Sequence, residues 1–266
     1  MTKTPTPNIP ETQHPFTQAC LEQAKHPWRA RKEVPSTSPP FSFFSVTWLE
    51  SLFRAAPWTP YVLLGPFVAV GIWRTFSSFP KLQGGLYIAL GWLIWTLTEY
   101  LMHRFGFHFA RKSPTLEVMG LIIHGHHHLY PKDTKRLVAT PFMHGSLALL
   151  FFGIYRLIAG TAWVPLWAGT MLGYLFYEWT HWYAHHGKPR SSLGKRLIRH
   201  HLRHHYQDDR AYFGISSPLW DYIFRTHRPP LAETSTTLIH PTQTDLCEGE
   251  PTRDPSKSPD THQDNP

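Results

Sequence analysis

Four stretches of the chain, 55–73, 82–98, 137–155 and 157–177, contain no Asp, Glu, Lys or Arg. Each approaches the roughly 20 residues that a helix needs to cross a hydrocarbon core of about 30 Å. They fall in two close pairs, which predicts two helical hairpins turning at 74–81 and 159–163. One such run would fit the buried core of a soluble protein; four in two pairs favour membrane spans. None lies behind a basic segment at the extreme N-terminus, so no cleavable signal peptide is expected and the first span serves as an uncleaved anchor. An even number of spans places the N-terminus, segment 103–136 and everything after 181 on one side. That side carries Arg104, Arg111, Lys112, Lys132, Lys135, Arg136, Lys188, Arg190, Lys195, Arg196, Arg199 and Arg203. The opposite side has little beyond Arg74, Lys81 and Arg156. The excess of Lys and Arg makes the first side cytoplasmic. Ahead of the first span, the aromatic segment 41–53 reads either as an interfacial helix or as the ragged start of that span.

Composition sharpens this picture at the ends. Residues 1–40 and 229–266 are rich in Pro, Ser, Thr and Gln and poor in aliphatics, so both are expected to be disordered tails flanking one membrane domain at 41–228. Both cysteines, Cys20 and Cys247, fall in those tails, which excludes a CxxC site and a core disulfide. The formal net charge of +8 fits nucleic acid or an anionic membrane surface. With 11 Trp in the chain, and with topology already accounting for the basic side, the membrane is favoured and no nucleic-acid partner is expected.

Histidine is the anomaly, at 19 of 266 residues. Thirteen of them form four groups on the predicted cytoplasmic side: His103 and His108; His124, His126, His127 and His128; His181, His185 and His186; and His200, His201, His204 and His205. Helical spacing sorts them. His181 and His185 share a face, as do His201, His204 and His205, and His124, His127 and His128. His126, His186 and His200 lie off those faces. The five-residue step from His103 to His108 turns about 140° on an ideal helix, so one of the two is expected where the helix unwinds, which Gly106 permits. Ten aligned imidazoles are too many for one metal and suit two ions sharing them. Imidazole suits Zn, Fe, Cu or Ni, so ligand type alone does not choose among them. Isolated His14, His26, His240 and His262 read as surface groups.

The order HxxxxH, HxxHH, HxxxH, HxxHH resembles the membrane fatty acid hydroxylase/sterol desaturase superfamily. Within it, the run from His124 to Val138 followed by Pro141, the run Tyr177-Glu-Trp-Thr-His181, and Gly214-Ile-Ser-Ser-Pro-Leu-Trp-Asp221 are similar to the fatty acid 2-hydroxylases. The resemblance spans about residues 55–225. It implies an all-α integral membrane fold, with four spans in two hairpins and a cytoplasmic helical cap holding a dinuclear metal centre. The implied ligands are His103, His108, His124, His127, His128, His181, His185, His201, His204 and His205, with their division between the ions open. Glu178 stands where the family has Asp; one turn before His181, it is positioned to orient an imidazole or to serve as a carboxylate at a helix end. Many eukaryotic 2-hydroxylases carry a fused cytochrome b5 domain. No His-Pro-Gly-Gly haem segment occurs here, so a separate donor, cytochrome b5-like or ferredoxin-type, is expected.

The reaction implied is hydroxylation of the carbon next to the acyl carboxyl, using O2 and two electrons. Side chains alone cannot hydroxylate a C–H bond, so a metal must supply the oxidant. Iron is the redox-competent choice; zinc, which can occupy such sites in the family, has no redox chemistry. The substrate is expected to be lipid-borne, free or in sphingolipid. The expected setting is an inner membrane in a bacterium or the endoplasmic reticulum in a eukaryote. A sterol or carotenoid oxidase of the same superfamily is the alternative. A metal transporter fits poorly, because transport needs polar groups at mid-bilayer and the spans offer only His144, near the end of the third.

Overall fold

A computed structural model of the chain describes residues 15–25, 42–108 and 113–228. In chain order its α-helices are α1 (Gln18–Lys25), α2 (Thr47–Leu52), α3 (Thr59–Ser78), α4 (Lys81–Leu101), α5 (Pro114–Gly120), α6 (His126–Leu129), α7 (Pro141–Ile158), α8 (Trp163–His186), α9 (Ser192–Tyr206) and α10 (Leu219–Ile223). Two π-helical segments, Met102–Phe107 and Leu121–Gly125, continue α4 and α5. Among the described residues the β pairing is an isolated antiparallel bridge between Phe16 and Phe44.

The four long helices overlap the four charge-free stretches, starting four residues late in α3 and α7 and six in α8, and local chemistry sets their ends. Helix α3 starts with Pro60 in its first turn, where the missing N–H costs nothing. Helix α7 starts the same way at Pro141, and the Thr140 hydroxyl accepts from the Met143 amide at 3.3 Å. Helix α8 outruns its apolar stretch and so carries His181 and His185 on the same rod as the spanning segment. Residues 79–80 join α3 to α4, while α7 reaches α8 through Gly160, whose φ of 53° is left-handed.

Helix α8 is the centre of the bundle and packs against α3, α4 and α7. Met171, Tyr174 and Leu175 of α8 join Leu64, Val68, Trp95, Phe151 and Tyr155 in one buried cluster. The α4–α8 crossing is closest where each helix has a glycine. A Cβ on Gly91 would meet the Leu166 carbonyl oxygen at 2.3 Å, and one on Gly169 would meet the Ile88 carbonyl oxygen at 2.1 Å. Small residues at a crossing let backbones approach where lipid removes the hydrophobic drive between helices. The outer faces of α3, α4 and α7 are apolar and exposed, with Phe67, Trp73, Leu82, Leu86, Leu149 and Leu157 facing outward. Segments Lys81–Phe107 and Pro141–Ile158 are each long and apolar enough to cross a membrane.

The structure differs from the sequence reading in three places. Within the segment expected to be a disordered tail, residues 18–25 form α1, which packs on α5 and buries Cys20 and Ala24 with Phe43, Phe44 and Leu121. Residues 1–14 and 26–40, and all of 229–266, lie outside the described residues. The aromatic segment 41–53 is neither a start of α3 nor simply laid on a surface. Phe43 and Phe44 are buried against the histidine-bearing region, while Trp48 of α2 faces outward. Finally, the chain does not unwind at Gly106.

Replacing Gly91 or Gly169 by leucine should wedge α4 from α8. Overpacking of this kind costs about 1–3 kcal/mol, more where backbone is struck. The expected result is a lower thermal midpoint in detergent, read by size exclusion after heating. Gly85→Ala, where a Cβ meets nothing within 4 Å, should leave the midpoint unchanged.

Candidate metal centre

The cap-side ends of the bundle bring ten imidazoles together in two groups of five. His103, His108, His124, His128 and His204 form one; His127, His181, His185, His201 and His205 form the other. Within each group one nitrogen of every ring lies within 4.8 Å of all the others. In the first, His124 Nε2 lies 3.1 Å from His103 Nε2 and 3.0 Å from His128 Nε2, and His108 and His204 meet through their Nε2 atoms at 3.0 Å. In the second, Nε2 of His181 lies 2.8 Å from that of His127, and Nε2 of His201 lies 2.8 Å from His185 and 3.0 Å from His205. Among them are all eight residues that helical spacing aligned, together with His103 and His108, which it did not place on one face. Neighbours in sequence are split between the groups, His127 from His128 and His204 from His205, because adjacent residues on a helix point about 100° apart.

The π-segment Met102–Phe107 explains how His103 and His108 come together. In a π-turn the hydrogen bond runs from i+5 back to i, and His108 N donates to His103 O at 3.2 Å. Residue i+5 therefore sits over residue i, so His103 and His108 share a face without unwinding. His124 lies in the second π-segment, Leu121–Gly125, and stands four residues before His128, the spacing that aligned the two in the sequence. Spacing on an ideal helix did not foresee the shared face of His103 and His108.

Backbone carbonyls fix which nitrogen faces inward. His103 Nδ1 donates to Phe213 O at 2.6 Å and His204 Nδ1 donates to Ala211 O at 2.8 Å. With the proton held on Nδ1, the Nε2 lone pair is left facing the centre, as in a metal-ligating histidine. Burial first, then repulsion from neighbouring rings, pushes His124, His127, His128, His201 and His205 far below the ordinary imidazole range. Burial does the same to His204. All six are neutral at neutral pH. A single proton between two facing Nε2 atoms satisfies one pair, but it cannot satisfy lone pairs converging from several rings. The donor set fits metal ions, and its imidazoles suit a first-row metal.

The carbonyl at 213 is itself held through Asp221, which sequence reasoning did not single out as functional, while the peptide carrying the 211 carbonyl is held by the Tyr212 amide donating to Thr226 O at 3.1 Å. Asp221 Oδ1 accepts from the Phe213 amide at 2.8 Å and the Thr226 hydroxyl at 2.7 Å, and its Oδ2 from the Gly214 amide at 2.8 Å and from His200 at 3.0 Å. Gly214 is required there: a Cβ would strike the Ser217 carbonyl oxygen at 2.1 Å. Glu99, reaching from α4, accepts from the Ile215 and Ser216 amides at 2.6 and 2.8 Å. The signal available in sequence was the run from Gly214 to Asp221.

The off-face histidines hold the elements that carry the others. His200 is bonded to Asp221, and His126 donates to Asp133 at 3.0 Å. Asp133 also pairs with Arg136 at 3.1 Å, and Arg136 reaches Glu50 while lying 4.7 Å over the Phe43 ring. Glu50 in turn accepts from the Phe43 and Phe44 amides. His186 belongs to neither group and stacks on Trp182 at 5.3 Å. Burial alone would raise Asp133, but the bonds from His126 and the Lys135 amide, with the charge of Arg136, outweigh it and hold the carboxyl at about 2. A depressed folded value places this stabilisation above the ordinary value near 4 and removes it as pH falls toward 2. Acid titration of the detergent-solubilised protein should show this contribution lost over that window. Asp133→Asn should lower stability at neutral pH and flatten the same window.

Glu178 does not take the place foreseen for it beside an imidazole of the two groups. Its partners are the Tyr174 hydroxyl at 2.7 Å and the Ala139 amide at 3.4 Å. It lines a cavity of roughly 70 Å³ with Trp95, Met102, Phe107, Met143 and Leu147, and His103 stands in the same wall.

Comparison with known proteins agrees with this architecture. A family model described as fatty acid hydroxylase matches residues 88–226. The dihydroceramide fatty acyl 2-hydroxylase FAH2 of Arabidopsis thaliana is 36% identical over 188 residues, covering 69% of this chain and 78% of the relative. The fatty acid 2-hydroxylase of Rattus norvegicus is 42% identical over 173 residues, covering 60% of this chain and 46% of the relative. A solved structure, full-length scs7p with only its hydroxylase domain visible, superposes with a TM-score of 0.68 at 28% identity, covering 82% of this chain and 81% of that one. The helical bundle, the two groups of imidazoles and these likenesses converge: the chain belongs to the fatty acid hydroxylase family and is a hydroxylating oxidoreductase.

Proposed function

We propose that the protein hydroxylates C2 of long fatty acyl chains, free or amide-linked as in sphingolipids, with O2 as co-substrate and electrons from a separate protein. The observation that carries this reading is the position of His103, which belongs to one imidazole group and also lines the apolar cavity. A chain lying in that cavity has its reacting end beside the metal-binding side chains. The relatives carry names that point the same way, among them the ceramide very long chain fatty acid hydroxylase SCS7 of Saccharomyces cerevisiae at 31% identity, over 70% of this chain and 50% of that protein.

Each group of five imidazoles would hold one ion, with iron as the metal for activity and zinc as a species able to occupy the site. When bound, the metal pair supplies the reduction of O2 that delivers one oxygen atom to a C–H bond. The protein's own side chains hold ligand lone pairs inward, exclude water with the apolar wall and keep the acyl chain in place. The donor is a small redox protein, cytochrome b5-like or ferredoxin-type.

All four long helices cross the membrane in this reading, and the histidine-bearing ends lie on the cytoplasmic side. Two features support it. The cap-side start of α3 is tied to the loop after α6 by Ala55 N donating to Lys135 O at 2.8 Å. The two hairpin turns lie together at the far end, where Trp73, Ser77 and Phe79 share a cleft with Thr161 and Val164. Residues 41–228 then form the membrane domain.

Purified protein should contain two metal ions per chain. His205→Ala and His204→Ala should each lower metal content and abolish turnover, whereas His126→Ala should lower the thermal midpoint but leave metal per folded chain near two. Equal metal loss in His126→Ala would overturn the assignment of ligands. With a reduced donor and ¹⁸O2, label should appear in a hydroxyl at C2 of the acyl chain; label from water would exclude an oxygenase. A single cysteine introduced at Thr161 should react with an impermeant reagent on intact cells, and one at Ser191 should not.

A further inference from the structure

The two imidazole groups differ in how their outer nitrogens are held. In the first, His103 Nδ1 donates to Phe213 O at 2.6 Å and His204 Nδ1 to Ala211 O at 2.8 Å. A third ring, His108, turns its Nδ1 toward the Asp209 carboxylate at 3.9 Å. In the second group, Nδ1 of His127, His201 and His205 is buried and has no partner among the described residues. A backbone carbonyl accepts but cannot donate, so it keeps the proton on Nδ1 and the lone pair on Nε2. A ring without such an acceptor gains by carrying its proton on Nε2, where a facing imidazole can take the hydrogen bond. The pairs His185–His201 at 2.8 Å and His201–His205 at 3.0 Å offer that arrangement. A metal entering the second group must displace those protons, whereas one entering the first finds two lone pairs already set.

The two carbonyls belong to one turn of the chain. Tyr212 stands between them with a φ of 60°, in the left-handed region that a bulky L residue rarely enters. Strained backbone persists only where its surroundings hold it, and it collects at functional sites. Here the hold is specific. The Tyr212 amide donates to Thr226 O at 3.1 Å, and its hydroxyl donates to Arg228 O at 2.7 Å. The residue is buried, and its ring stands edge-on to that of His200 at 5.3 Å.

We propose that the two metal positions are inequivalent: the turn at Tyr212 fixes His103 and His204, so the first group holds its ion tightly, and the second group holds the exchangeable one. Tyr212 is then a positioning residue that acts through the carbonyls at 211 and 213. The proposal rests on the reading that each group binds one ion. Outer partners of ligating histidines are worth about 10–100-fold in metal affinity. The first group has two of them on one held turn, while three buried rings of the second have none.

The test follows metal release rather than turnover. The full chain in detergent is loaded with zinc, desalted and challenged with a chelator, and released zinc is counted per protein against time. The wild type should lose one ion in a fast phase and one in a slow phase, with rates at least about tenfold apart. His201→Ala should remove the fast phase and keep the slow one; His204→Ala should do the reverse. Tyr212→Ala loses the ring and hydroxyl that hold the turn, and should speed the slow phase at least about tenfold while leaving the fast phase unchanged. Tyr212→Gly loses the same groups but takes the left-handed backbone freely, so it should keep its slow ion longer than Tyr212→Ala. A space-filling role for Tyr212 would rank the two the other way, because glycine leaves the larger cavity. A single common phase for both wild-type ions would overturn the proposal, whatever the folding of the variants. Loss of the slow phase in His201→Ala would do the same, and equal release from the glycine and alanine variants would remove Tyr212 from it. Two ions retained in both histidine variants would instead overturn the reading of one ion per group.

Discussion

Everything in this fold answers to one constraint: ten neutral imidazoles must be desolvated together with their lone pairs facing inward. Burying a polar group without a partner is costly, and here the inward nitrogens have chiefly one another. The protein meets this by fixing the outer nitrogen where it can. Phe213 O and Ala211 O accept the Nδ1 protons of His103 and His204, and the Phe213 carbonyl is held in turn by Asp221 through the amide of residue 214. The anchor of a metal-facing ring is thus a carboxylate on α10, acting through a backbone turn.

Geometry imposes a second demand. An α-helix aligns side chains three and four residues apart, which suffices for α6, α8 and α9 but not for a five-residue step. The π-segment Met102–Phe107 provides it, at the point where the long helix α4 ends. Widened turns of this kind are frequent at functional sites. They also let α4 run from the apolar bundle into the histidine cluster without a break, so that Trp95 in the core, Glu99 under the loop and His103 in the cluster lie on one continuous rod.

The parts legible in sequence were those governed by composition and by ideal helical spacing. The absence of charge over 55–73 or 137–155 located helices to within a few residues, and Pro60 and Pro141 explain the shifts at their starts. Spacing separated His127 and His128 from His126, and His201 from His200, because one helix face was enough to tell them apart. What remained hidden depended on contacts between distant segments. Neither α1 nor the seating of Phe43 against His126 follows from a polar, proline-rich N-terminus, since only the facing surface of α5 and α6 makes that burial favourable. Glu178 was misread for the same reason. Its sequence neighbour His181 is one turn away, but its hydrogen bonds go to Tyr174 and to a backbone amide at 139.

The off-face histidines show how the remaining strain of such a site is distributed. A ring that is buried but does not face a metal needs a fixed acceptor, and both His126 and His200 have a carboxylate at 3.0 Å. Those carboxylates are shared outward, Asp133 with Arg136 and Asp221 with the amides at 213 and 214. Arg136 carries the connection on to Glu50, and Glu50 holds the backbone of Phe43 and Phe44. The N-terminal aromatic segment and the C-terminal turn therefore close on the cluster from opposite ends of the sequence by the same device, a carboxylate bridging an off-face imidazole to backbone or to a guanidinium. Charges buried in this way contribute when the whole network is satisfied and destabilise when one member is removed, so the network ties the position of α6 and α9 to the integrity of segments that touch no metal-facing ring.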